Sequence, residues 1–149
     1  MHTLLDAADR EAILRRLAAL TPTSPRQWGR LSVAGMLCHL HESARMALGE
    51  LPVMPRGKRA FQVFPLKHLL LYVVPFPKGA PTAPELLEGV PSDDFETDRA
   101  RLSELLTRIG LGPHEGVGPV HPLFGTLSRQ EWGAATYKHT DHHLRQFGV

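Results

Sequence analysis

Apolar residues recur every three or four positions in four segments of the chain, and this spacing predicts four helices. The first helix covers residues 7–20, with Asp6 as its N-cap. Two proline-containing pairs follow it and end it, because proline disfavours helical backbone in the residue before it. The second helix begins after its cap Ser32 and reaches residue 48, where Gly49 follows.

The third predicted helix covers residues 93–109, with Ser92 as its cap, acidic residues in its first turn and Gly110 as its stop. Before it, residues 50–91 form a long connection that is rich in proline and glycine. An apolar island at 69–74 interrupts this connection, and its pattern fits a short helix or a strand equally well. Such a long connection is more often functional, or packed over the core, than idle.

The fourth predicted helix has the clearest start signal. Ser128 and Glu131 form a capping box, and Leu127 with Trp132 makes the matching hydrophobic staple. The helix should continue to residue 146. We find no segment with the alternating pattern of a strand, so the sequence predicts an all-α fold, a four-helix bundle that forms one domain over the whole chain.

The composition is that of a soluble globular protein, with 42% hydrophobic and 21% charged residues. The formal net charge is only +2, and the basic residues are scattered apart from Arg56, Lys58 and Arg59. A loop exposed to water explains that short group better than a nucleic-acid-binding surface does. We therefore expect no nucleic-acid partner.

The expected location is the cytoplasm. The single cysteine, Cys38, excludes an intrachain disulfide and fits a reducing compartment. The N-terminal residues lack the apolar region of a signal peptide. The apolar run at 69–74 is far shorter than the roughly 20 residues that span a bilayer. We therefore expect no membrane partner.

The candidate chemistry lies in the nine histidines. His139 and His143 lie one turn apart on the inward face of the fourth helix, while charged residues occupy the opposite face. Two buried imidazoles this close are costly without partners, and a divalent metal ion satisfies both. For this pair alone, hydrogen-bonded core histidines are an equally good interpretation. His142 is the rival to His143 on this helix.

A third ligand is expected from the second helix. His39 flanks the apolar stripe, with the small residues Gly35 and Ser43 beside it, whereas His41 is on the side that faces solvent. We therefore choose His39, His139 and His143 as the metal ligands. Glu42 is within reach of His39, but a solvated glutamate is the better interpretation.

Three neutral histidines would leave a divalent ion with an open coordination position, which favours catalysis over a structural role. Such an ion lowers the pKa of a bound water or thiol. The sequence thus predicts a metal-dependent transferase or hydrolase that acts on a small molecule. The alternative is a non-catalytic bundle stabilised by the metal. His121 is a candidate for the pocket rim or for a loop that positions the fourth helix, and we expect His68 and Trp132 to pack.

These residues resemble the DinB-like (DinB/YfiT) superfamily of metal-binding four-helix bundles. The resemblance rests on His39 in Met-Leu-Cys-His-Leu, and on His139 and His143 followed by Gln146. The tail, with HPLFGTLSRQEW and YKHTDHHLRQFG, is similar to an uncharacterised subfamily of that group. The resemblance implies a crossover connection after the second helix and a three-histidine site for nickel or zinc.

The same resemblance implies partners. Relatives in that superfamily are frequently homodimers, and they include transferases and isomerases that use low-molecular-weight thiols such as bacillithiol or mycothiol. This sequence departs from them in the long proline-rich connection after the second helix.

Overall fold

The computed structural model describes residues 1–79, 84–87, 89–92 and 94–149. In this part of the chain the fold is mostly helical, with a small two-stranded antiparallel sheet. The α-helices are α1 (Ala7–Ala18), α2 (Val33–Leu48), α3 (Leu66–Tyr72), α4 (Phe95–Leu111) and α5 (Arg129–Gln146). The strands are β1 (Val117–His121) and β2 (Gly125–Ser128), and two short 3-10 segments lie at Arg59–Gln62 and Pro84–Leu87.

Three of the predicted helix starts are confirmed by their caps. The side chain of Asp6 accepts a hydrogen bond from the Asp9 backbone N–H at the start of α1. Ser32 does the same for α2, and Gly49 ends that helix with the left-handed backbone that glycine favours. Both hydrogen bonds of the capping box at Ser128 are present. Local polar residues therefore set the ends of the two helices that carry the candidate ligands.

The predicted limits of the helix over 93–109 are wrong. The helix α4 begins at Phe95 with Asp94 as its cap, because the Asp94 carboxylate accepts a hydrogen bond from the Glu96 N–H, and Asp93 lies outside the described residues. Gly110 does not stop the helix, which continues to Leu111. A side chain at Gly110 would lie 2.4 Å from Arg10, so this glycine permits close packing on the N-terminal segment.

The hairpin of β1 and β2 was not predicted, so the strictly all-α expectation does not hold for residues 117–128. Val120 pairs with Thr126 and His121 with Gly125, while the register is irregular between Val117 and Val120. Both strands are short, and β1 contains a glycine and a proline. These residues remove the alternating pattern by which a strand is usually found.

The four long helices pack around a shared apolar core. α2 lies against α4 and α5, and α1 lies against the same two helices, while the hairpin contacts α2 and α5. The largest fully buried apolar side chains of these helices are Ile13, Leu17, Met36, Leu37, Leu40, Leu102, Leu106 and Leu144. Most of the apolar island lies in α3, which packs on α5 and buries Leu71. None of the described helices is long and apolar enough to cross a membrane.

Candidate metal centre

Three histidines converge where α2 packs against α5. His39 comes from the middle of α2, and His139 and His143 come from consecutive turns of α5. The Nε2 atom of His139 lies 3.0 Å from Nε2 of His39 and 3.2 Å from Nε2 of His143. Their candidate ligand atoms all lie within 4.8 Å of one another. The residues chosen from the sequence therefore form a group that could hold a metal ion.

The ring protons of the three imidazoles cannot satisfy all three Nε2 atoms by hydrogen bonds, whereas a bound cation can. A neutral imidazole carries a proton on one ring nitrogen and a lone pair on the other. A proton on Nε2 of His139 could point at only one of its two neighbours, His39 or His143, in a linear hydrogen bond. A divalent ion would accept the lone pairs of all three nitrogens at once. The donor set could therefore hold a divalent ion.

Burial keeps these imidazoles neutral. It lowers the pKa of His39, and it lowers the pKa of His143 to about 4. The pKa of His139 lies well below its ordinary value, first because of burial and then because His143 and His39 are close. Among the described residues, no carboxylate contributes to these shifts. Neutral imidazole is the form that binds metals, so the cluster is ready for an ion near neutral pH.

The outer nitrogens of the three rings have different partners. The Ser43 hydroxyl lies 3.0 Å from Nδ1 of His139, and the Gln146 side-chain oxygen lies 2.8 Å from Nδ1 of His143. Nδ1 of His39 has no hydrogen-bond partner among the described residues. The nearby backbone of Leu86 opposes part of the effect of burial on the pKa of His39. Such outer contacts orient metal-binding histidines.

Aromatic side chains from distant segments lie beside the cluster. The ring of Phe76, in the long connection, lies 5.7 Å from the ring of His139 and 5.9 Å from that of His142. The ring of Trp28 lies 6.1 Å from that of His142, and Nζ of Lys78 lies 4.4 Å above the Trp28 ring. Neither Phe76 nor Trp28 was predicted at the site. In the sequence, Phe76 is an apolar residue between two prolines and Trp28 is an aromatic residue in a polar loop. Neither pattern indicates a position near the histidines.

A family model described as "Protein of unknown function (DUF1569)" matches residues 2–148. The chain belongs to this family. No curated protein and no solved structure matches it. The match to DUF1569 includes the three clustered histidines and the residues around them. The resemblance to DinB-like proteins stays a prediction.

The rival histidines of this DUF1569 chain lie outside the cluster. His142 is half-buried beside Trp28 and Phe76, and it is not one of the three converging residues. Nδ1 of His41 lies 3.0 Å from a carboxylate oxygen of Glu42. The prediction that Glu42 is solvated is wrong, because its residue is only 9% exposed and it also accepts a hydrogen bond from Arg45.

The contacts of His121 support its role in an ordered loop. Its Nδ1 accepts hydrogen bonds from the backbone N–H groups of Leu123 and Phe124, at 3.1 and 3.3 Å. Burial lowers the pKa of His121 to about 4, which leaves this nitrogen free to accept. His121 therefore orders the turn between β1 and β2, and its place on the pocket rim stays a prediction. Trp132 packs in the core and its Nε1–H donates to the Pro119 carbonyl, while His68 lies on the surface against Tyr72.

Proposed function

We propose that this DUF1569 protein is a metal-dependent enzyme in which a four-helix bundle holds one nickel or zinc ion. His39, His139 and His143 would be the ligands, and the observation that carries the proposal is the convergence of their Nε2 atoms. Three protein ligands are typical of catalytic sites, whereas structural zinc is usually bound by four. When bound, the ion would supply Lewis acidity toward a water or a thiol.

The substrate would be a small molecule, because the surroundings of the cluster are confined. The ring of Phe76 lies 5.7 Å from that of His139, and the ring of Trp28 lies against the neighbouring His142. Cationic side chains lie against these rings, with Nζ of Lys78 4.4 Å from the Trp28 ring and Nζ of Lys138 5.6 Å from the Phe76 ring. This charge favours an anionic substrate group.

The nucleophile would not be a side chain of the protein. Cys38 is the single thiol of the chain, and burial is the main cause that raises its pKa and keeps it protonated. Its Sγ lies against Gly89 and Glu42 and takes no part in the histidine cluster. A thiolate nucleophile needs a lowered pKa. We therefore favour a transferase that uses a low-molecular-weight thiol, or a hydrolase that uses water.

The first test is metal content, measured by mass spectrometry on tag-free protein after reconstitution with nickel or zinc. His39→Ala, His139→Ala and His143→Ala should each lose the metal that the wild type holds in near-stoichiometric amount. His142→Ala and His41→Ala are matched controls, since these histidines lie beside the cluster but outside it. Metal retained by the folded His139→Ala variant would sink the proposal.

The second test separates an enzyme from a bundle that metal merely stabilises. Cobalt-loaded protein is titrated with a low-molecular-weight thiol, and the visible spectrum reports whether the thiol changes the coordination of the ion. A spectral change that is absent in His139→Ala supports the thiol-dependent transferase. A large loss of melting temperature on chelation, without any effect of thiols or anions on the spectrum, supports the non-catalytic alternative.

A further inference from the structure

The side chain of Gln146 connects the cluster to a distant loop. Gln146 is the last residue of α5 and is only 4% exposed. Its Nε2–H donates to the backbone carbonyl of Trp28 at 2.8 Å, and its Oε1 lies 2.8 Å from Nδ1 of His143. A carbonyl can only accept, so the contact with Trp28 fixes which end of the amide faces His143.

The orientation of this amide sets the tautomer of His143. Because the amide oxygen faces Nδ1, that nitrogen must carry the ring proton and donate it. The lone pair of a neutral His143 is then on Nε2, the atom that lies 3.2 Å from Nε2 of His139. This tautomer is the one that a metal ion in the cluster requires.

The loop that holds the amide is itself fixed to the end of α5. The backbone N–H of Gln27 donates to the backbone carbonyl of Gln146 at 2.7 Å. Gly29 has a φ of +83°, which glycine adopts without strain. A Cβ at Gly29 would lie 2.1 Å from Nε2 of Gln146, so a side chain there would displace the amide. Only glycine allows the loop to lie this close.

We propose that Gln146 is a positioning residue that holds His143 with its Nε2 lone pair directed at the cluster, and that residues 27–29 hold Gln146 in turn. The inference rests on the proposed function insofar as His143 is a metal ligand. His143 differs here from the other two: the hydroxyl of Ser43 can donate to His139 or accept from it, and in the part of the chain that the structure describes Nδ1 of His39 has no hydrogen-bond partner.

The experiment perturbs the amide in two independent ways. Gln146→Met removes the amide at similar size, while Gly29→Ala keeps the amide and displaces it. Gly116→Ala is the matched control, because Gly116 also has a positive φ, of +98°, but a Cβ there would meet nothing within 4 Å. Gln146→Glu is the conservative variant, since it retains an acceptor for Nδ1 of His143, although it replaces the donor to the Trp28 carbonyl with a carboxylate oxygen.

Two readouts follow the ring and the metal separately. The ¹⁵N spectrum of the His143 ring in metal-free protein should show the proton on Nδ1 in the wild type, Gln146→Glu and Gly116→Ala, and a mixture of tautomers in Gln146→Met and Gly29→Ala. Zinc affinity, measured by competition with a chromophoric chelator, should fall about 10- to 100-fold in Gln146→Met and in Gly29→Ala. Circular dichroism verifies that each variant is folded.

The proposal is overturned if His143 keeps its proton on Nδ1 in Gln146→Met and Gly29→Ala, or if both variants bind zinc within about twofold of the Gly116→Ala control. If Gln146→Met does not fold, Gly29→Ala decides alone. A wild type that binds no metal would remove the proposed function, whereas the ring spectra would still decide whether Gln146 sets the tautomer. The two failures are therefore distinguishable.

Discussion

The two sides of the histidine cluster are built differently. On one side, α2 and α5 carry the three histidines, and a serine N-cap starts each of these helices. In the described part of the chain, His139 and His143 each have a hydrogen-bond partner for Nδ1. On the other side, residues 50–79 of the connection supply Phe76, whose ring lies against the rings of His139 and His142. That connection also leaves Phe64 81% exposed and Val73 64% exposed.

This difference separates two properties of the site. Helices that are capped and packed on a shared core hold the ligand atoms in place, so we expect them to determine metal affinity. The segment around Phe76 contacts His139 through its ring, so it can move aside without breaking any hydrogen bond that the described residues make to the histidines. We expect it to determine how fast metal and substrate reach the site.

Replacing one leucine on each side by alanine should give the largest difference in the free energy of unfolding. Leu144 is fully buried on α5, and Leu69 is 42% exposed on α3. Leu144→Ala should lower the free energy of unfolding by about 2–5 kcal/mol, because it leaves a cavity in the core. Leu69→Ala should change it by less than about 0.5 kcal/mol. Urea denaturation of the metal-free protein measures both, and equal losses would contradict the comparison.

Acid should lower the free energy of unfolding through buried histidines in the hairpin and on α5. His121 has a pKa of about 4 in the folded protein against an ordinary value of 6.5, so the unfolded chain binds the proton first. The contribution of neutral His121 to the free energy of unfolding should therefore be fully present above pH 6.5 and should be lost as the pH drops toward 4. At pH 4.5 this single group would remove at most about 2.5 kcal/mol.

His121→Asn isolates this contribution. The asparagine oxygen can still accept from the N–H groups of Leu123 and Phe124, but the side chain no longer titrates. Denaturation of the metal-free protein at pH 7 and pH 4.5 should show a smaller acid loss in the variant than in the wild type. His143, whose pKa is also about 4, keeps part of the dependence in both proteins. An identical pH dependence would show that His121 does not contribute.

The helical side was the more predictable of the two, because its signals are local. The capping box at Ser128 and the four-residue spacing of His139 and His143 lie within α5 itself. His39 was preferred over His41 because small residues lie beside it on α2. Both interpretations need only the geometry of one helix.

The rest of the site depends on contacts between distant segments. Gln146 meets Trp28 across 118 positions of the chain, and no local pattern marks this pair. Phe76 and Trp28 reach the cluster from loops whose course the sequence does not specify. The hairpin at 117–128 was missed because its glycine and proline hide the alternation of a strand.

The burial of Glu42 was missed for a local reason. Glu42 was assigned to solvent from its position on α2, without its hydrogen-bond partner Arg45 on the same helix.

A smaller effect is expected at Ser43, which supports the helical side. Its hydroxyl lies 3.0 Å from Nδ1 of His139, so Ser43→Ala should free that ring to rotate and should weaken zinc binding about tenfold. Ser103→Ala is the control, because Ser103 makes a comparable hydrogen bond to the Arg99 carbonyl on α4. Competition titration measures both affinities. Unchanged zinc affinity in Ser43→Ala would show that the hydroxyl does not orient the ligand.

The smallest effect on affinity is expected on the covering side. Phe76 contributes no ligand atom, so Phe76→Ala should change the zinc dissociation constant by less than about twofold. The same variant should release zinc to a chelator faster and take it up faster, because the ring that lies 5.7 Å from His139 no longer obstructs the cluster. Phe64→Ala removes an equal ring that is already exposed, and it should change neither rate. Stopped-flow mixing with a chromophoric chelator measures these rates. If Phe76→Ala lost affinity as strongly as Ser43→Ala, the connection would be part of the framework that holds the metal, and the division between a binding side and an access side would be wrong.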